Sequence, residues 1–105
     1  MQTISVLDLK AKLDNGDIPV LLDVREAWEY EICAIQDSIN ISMSNVDKML
    51  NELKPDEETI VICHHGMRSF QVASYLENNG FTQIINLEGG IDAWAKTVDK
   101  EMEQY

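Results

Sequence analysis

Apolar residues follow two rhythms along the chain. The continuous runs PVLLDV (19–24), TIVIC (59–63) and FTQIINL (81–87) have the length and composition of strands buried on both faces. SINIS (38–42) reads as a shorter strand. Between them, apolar positions return every three or four residues, the spacing of one helix face. Ser5 to Asp8 forms a capping box that opens a helix through Leu13, closed by Asn15-Gly16. EAWEYEI (26–32) predicts a short helix. A further helix opens at Ser44–Asp47, carries Val46, Met49, Leu50 and Leu53 on one face, and stops before Pro55. Val72, Ala73, Tyr75 and Leu76 mark a helix over 69–79 that Gly80 terminates. Glu88-Gly89-Gly90 is a turn and IDAWAKTV (91–98) the last helix, with 98–105 expected as a frayed tail. Strands alternating with helices predict an α/β fold: an open parallel sheet of about four or five strands with helices on both faces.

Length and charge narrow the function. A chain of 105 residues suits one domain, 1–105. No apolar run approaches the roughly 20 residues that span a bilayer. The N-terminus lacks the basic start and apolar core of a signal peptide. With Cys33 and Cys63 the only cysteines, a disulfide scaffold is not expected and a cytoplasmic setting is. The net charge of −11 disfavours nucleic acid and anionic membranes as partners. An anion could bind such a protein only where local positive potential is concentrated, which draws attention to its two arginines, Arg25 and Arg68.

Arg68 lies in VICHHGMRSF (61–70), and Cys63 ends the apolar run of that stretch. In open α/β sheets, ligands bind beyond the carboxyl ends of strands, where the next helix begins. Backbone N–H groups of a tight loop there can converge on an anion, aided by the helix dipole. Gly66 permits the left-handed backbone that such curling requires. Loop amides, helix start and Arg68 would together stabilise negative charge on the Cys63 sulfur, the nucleophilic form. Cysteine phosphatases place one residue more between their cysteine and arginine than the four found here, His64, His65, Gly66 and Met67. The tighter cradle suits the outer sulfur of a persulfide and argues against phosphate or arsenate.

The pieces LLDVREAWEYE (21–31), INIS (39–42), VICHHGMRS (61–69), GF (80–81) and NLEGGIDAW (86–94), in this order, resemble a single-domain rhodanese of the thiosulfate sulfurtransferase type. The resemblance implies a rhodanese-like sheet, Cys63 as the catalytic cysteine, and a six-residue active loop running to Arg68. Cys63 would accept sulfane sulfur from thiosulfate or a persulfide and pass it to a thiol or a cyanide-like acceptor. Amides of His64, His65, Gly66, Met67 and Arg68 would hold the persulfide and the anionic end of the donor. No metal or organic cofactor is implied, and a monomer is expected. A basic sulfur-relay protein is a compatible partner for so acidic a surface. The rival reading is a non-enzymatic binding or regulatory module on the same fold. Where the family reads Gly-His-Ile-Pro-Gly-Ala, this chain has CAIQDS (33–38), a departure expected to lie away from the loop.

Secondary roles follow. Cys33 is expected as a small residue at a helix end rather than a resolving thiol. Three side chains from adjacent loop residues cannot readily turn to one ion, so Cys63, His64 and His65 are not expected to form a metal site. The histidines should flank the pocket mouth, where a protonated ring would attract a dianionic donor. Arg25 is expected to pair with Glu88 and hold the EGG turn against the active loop, with Asp23 a structural hydrogen-bond acceptor. Met67 is placed at the pocket entrance, and Trp28 and Trp94 in the core or at its rim.

Overall fold

The computed structural model describes residues 1–105. Strands β1 (Gln2–Ile4), β2 (Val20–Asp23), β3 (Ile39–Asn40), β4 (Thr59–Ile62) and β5 (Ile84–Leu87) form one sheet. Helices α1 (Val6–Asp14), α2 (Ala27–Ile32), α3 (Val46–Glu52), α4 (Met67–Asn78) and α5 (Gly90–Thr97) connect and cover it. The strand order is β1-β5-β4-β2-β3 and every pairing is parallel. The α/β architecture read from the sequence is the one observed.

Alternation along the central strands sorts the core into two layers. Leu22, Val61, Cys63 and Ile84 face one way and pack with Met49, Leu53, Val72, Ala73 and Leu76 of α3 and α4. Leu21, Ile60, Ile62, Ile85 and Leu87 face the other way and meet Val6, Leu9, Ile91 and Trp94 of α1 and α5. Since both faces are covered, these strands are apolar at all but one position each (Asp23, Thr59 and Asn86), which is why they stand out as runs.

The edges depart from the sequence reading. β1 comes from Gln2-Thr3-Ile4, a half-exposed edge strand whose polar residues carry no strand signal. The short helix Ser44 was expected to open is preceded by a 3₁₀ turn over Met43–Asn45, capped by the Ser42 hydroxyl. Residues 98–105 are not a frayed helix end: α5 stops at Thr97, and the chain turns so that Tyr105 packs against the loop carrying Cys63. In CAIQDS, Asp37 takes φ of 68° where the family pattern has its second glycine. Aspartate is among the few residues that tolerate this left-handed conformation, so the turn survives the substitution. This segment lines the largest concavity, about 830 Å³, together with Leu13, Ile18, Trp94 and Met102. No residue of the 63–68 loop borders it.

Candidate active site

Cys63 follows the last residue of β4, and α4 begins four residues later at Met67. Gly66 caps that helix with φ of 104°, a conformation costly for any residue carrying a Cβ. The reversal brings the Gly66 N–H back onto the Cys63 sulfur at 3.0 Å. The thiol also hydrogen-bonds the buried Ser69 hydroxyl, 3.3 Å away in the first turn of α4. In the thiolate the sulfur has lost its proton, and the Ser69 hydroxyl turns its own proton to it as donor. First-turn N–H groups of an α-helix have no intrahelical acceptor, and α4 starts four residues after Cys63. Cys63 itself is 1% exposed.

The loop is braced from the β5–α5 turn by backbone atoms. Ile91 N–H donates to the Cys63 carbonyl and Asp92 N–H to the His64 carbonyl, both at 2.9 Å. Gly90 makes this approach possible: a Cβ there would lie 2.3 Å from the Cys63 oxygen and 2.6 Å from the His64 oxygen. From β5, the Asn86 side-chain amide donates to the Gly66 carbonyl at 3.2 Å.

The expected Arg25–Glu88 pair is therefore corrected. Glu88 is exposed and has no ion-pair partner. Arg25 is fully buried and turned the other way. Its Nε donates to both Asp23 oxygens at 3.0 and 3.1 Å, and Nη2 donates to Asp23 Oδ2 at 2.8 Å and the Cys33 carbonyl at 2.6 Å. Nη1 reaches the Glu29 carbonyl and the Tyr105 hydroxyl. A buried guanidinium needs its donors satisfied at close range, and Asp23, two residues earlier on the same strand end, is nearer than the EGG turn can be. Burial alone would lower the Arg25 pKa, but hydrogen bonds with Asp23 and Tyr105 hold it above its ordinary value. Asp23 also accepts from the Arg25 backbone N–H at 3.0 Å, and Cys33 is the buried C-cap of α2.

Arg68 is equally committed. Its two terminal nitrogens meet the two oxygens of Glu29 at 2.7 and 2.8 Å, a bidentate pair. The Glu29 side chain is 5% exposed and that of Arg68 34%. The Arg68 hydrogen bonds pull the Glu29 pKa down to about 2 against the opposing effect of burial. Tyr105 donates its hydroxyl to the same carboxylate at 2.8 Å, and burial lifts its own pKa to about 12. The Tyr105 ring stacks on His64 with centroids 4.1 Å apart, and His64 stacks on His65 at the same separation. Burial, then the neighbouring His65, lowers the His64 pKa, so that ring favours its neutral form. Met67 is 75% exposed, Trp28 is exposed and Trp94 lies in the core.

Three contributors were missed in the sequence: Glu29, Ser69 and Tyr105. Ser69 had a readable signal, since the stripe Val72, Ala73, Leu76 extended back one turn lands on it, a polar residue at a buried position. Glu29 lies four residues after Arg25 on the inward side of α2, a weaker signal. Nothing local marks Tyr105.

The family profile described as Rhodanese-like domain matches residues 5–97. The chain is 37% identical over 91 residues to YrkF of Bacillus subtilis, covering 87% of this chain and 49% of that protein, so it spans about half of that relative's length. It is 32% identical over 101 residues to thiosulfate sulfurtransferase GlpE of Pseudoalteromonas translucida, covering 96% of this chain and 95% of that one. A rhodanese-like domain protein from Staphylococcus aureus superposes with a TM-score of 0.86 at 32% identity, covering 100% and 99% of the two chains.

Proposed function

The chain belongs to the rhodanese-like domain family, and on that premise we propose that it is a sulfurtransferase working through a persulfide on Cys63. The observation that carries the reading is the Cys63 sulfur held at a strand end by the Gly66 N–H at 3.0 Å, facing the start of α4. A cysteine kept only for packing has no use for that donor.

The Cys63 thiolate attacks the outer sulfur of thiosulfate. A bond forms between the two sulfurs, the donor's own S–S bond breaks, and sulfite departs with the electron pair. Negative charge moves to the new outer sulfur, where the loop amides and the helix start stabilise it. A thiolate or cyanide then attacks that sulfur, the persulfide bond breaks, and the Cys63 thiolate is restored. No electron acceptor is needed, because the sulfane sulfur arrives and leaves at the same oxidation level. The loop from His64 to Arg68 forms the cradle, and Arg68, already paired with Glu29, acts mainly by fixing the start of α4. The thiosulfate sulfurtransferase GlpE, similar over nearly its full length, supports thiosulfate as donor.

Incubation with thiosulfate followed by intact-mass measurement tests the proposal. The wild-type protein should gain the mass of one sulfur atom, lose it on addition of cyanide, and release thiocyanate. Cys63→Ser should do none of these. Wild-type protein that stays unmodified, or thiocyanate formation retained in Cys63→Ser, overturns the mechanism.

A further inference from the structure

His64 and His65 from the loop and Asp92 from the first turn of α5 each turn one potential ligand atom to a common space, all within 4.8 Å of one another. Sulfur transfer has no use for this convergence. Adjacent loop residues cannot readily turn three side chains to one ion, but here the third group comes from a different element, α5. Loop and helix are fixed in register by the Asp92 N–H to His64 carbonyl bond at 2.9 Å, so the arrangement is built by the fold. The His64 and His65 rings stack at 4.1 Å with their planes 24° apart, so His65 must swing out of the stack for both nitrogens to meet one ion.

His65 Nε2 is 3.9 Å from Asp92 Oδ2. Zinc binds imidazole nitrogen at roughly 2.0–2.1 Å and carboxylate oxygen at roughly 2.0–2.2 Å, so two ligands on one ion lie slightly over 3 Å apart. Closing that gap needs a small rotation of His65, whose side chain is 64% exposed and free to make it. Lys96 competes for the same carboxylate oxygen at 3.1 Å, but an exposed pair of this kind is weak. Cys63 stays out of the set, being buried and engaged by Gly66 and Ser69. Two nitrogens and one oxygen suit zinc, cobalt or nickel, and a net charge of −11 favours any cation.

We propose that His64, His65 and Asp92 form a binding site for a divalent transition-metal ion of the zinc class, with its remaining coordination positions open to water. The site is independent of the sulfur-transfer reading. It is tested by titrating untagged Cys63→Ser protein with Co²⁺, followed by visible absorbance, and with Zn²⁺, followed by calorimetry. One ion per chain should bind, with d–d bands and no thiolate charge-transfer band. His65→Ala and Asp92→Asn should each weaken binding by roughly tenfold or more, while Asp99→Asn leaves it unchanged. In the wild-type protein, Zn²⁺ should shift the imidazole C–H resonances of both histidines, the only two in the chain. That measurement stands even if Cys63→Ser fails to fold. Absence of saturable binding, histidine resonances that do not move, or equal affinity in His65→Ala and Asp92→Asn overturns the proposal.

Discussion

Replacing Glu29 with glutamine keeps the side-chain shape and removes the charge that Arg68 grips at both terminal nitrogens. The Glu29 pKa is drawn from an ordinary 4.5 to about 2, chiefly by Arg68. At about 1.4 kcal/mol per pH unit, that gap corresponds to roughly 3 kcal/mol of stabilisation. Arg68 is one-third exposed, so solvent screening reduces this to about 1–2 kcal/mol. Because the folded-state pKa lies below the unfolded one, the contribution is complete above pH 4.5 and is lost as pH falls towards 2. Urea unfolding of wild type and Glu29→Gln at about pH 7 and about pH 3 checks both size and sign. Other carboxylates titrate alike in the two proteins and cancel in the difference. The wild type should be more stable by about 1–2 kcal/mol at neutral pH, with the advantage much reduced at the lower pH. Equal stability at neutral pH, or a difference that does not change with pH, would refute the reasoning.

Cys33→Ser should retain thiosulfate:cyanide activity, since Cys33 is a buried helix cap whose carbonyl serves Arg25; lost activity in a folded variant would show that the second thiol takes part. Gly90→Ala should destabilise the protein by about 1–3 kcal/mol in urea unfolding, through overpacking against the Cys63 and His64 carbonyls. Tyr105→Phe removes a hydroxyl that binds both Glu29 and Arg25, and thermal melting should show a loss of about 1–2 kcal/mol. Wild-type protein should not turn over an aryl phosphate in a colorimetric assay, because the loop is one residue shorter than a phosphate cradle.

The sequence exposed what repetition and continuity encode. Strands β2, β4 and β5 were legible because both their faces are buried, and Cys63, Gly66 and Arg68 because a strand end, a turn former and a charge fall within six residues. β1 was not, since an edge strand of Gln2-Thr3-Ile4 is held by pairing with β5 rather than by its own side chains. The Glu88 assignment failed for a related reason. A shared sheet edge suggested an ion pair between Arg25 and Glu88, whereas the turn is held to the loop by main-chain hydrogen bonds that leave no trace in side-chain chemistry. Tyr105 reaches Glu29 across 76 positions of chain, a contact that only the completed sheet brings about.

That main-chain brace bears on how such a site can diversify. The cradle is held to α5 through N–H and carbonyl groups that nearly every amino acid supplies, so its shape is largely indifferent to the side chains at 64, 65, 67 and 88. These exposed or half-exposed positions can be exchanged to suit a new donor, acceptor or ion without rebuilding the loop that presents the sulfur. Two positions are withheld from that freedom: Gly66, where the chain must reverse, and Gly90, where one added carbon would push the helix off the loop. A library aimed at new specificity should vary the first set and leave both glycines alone.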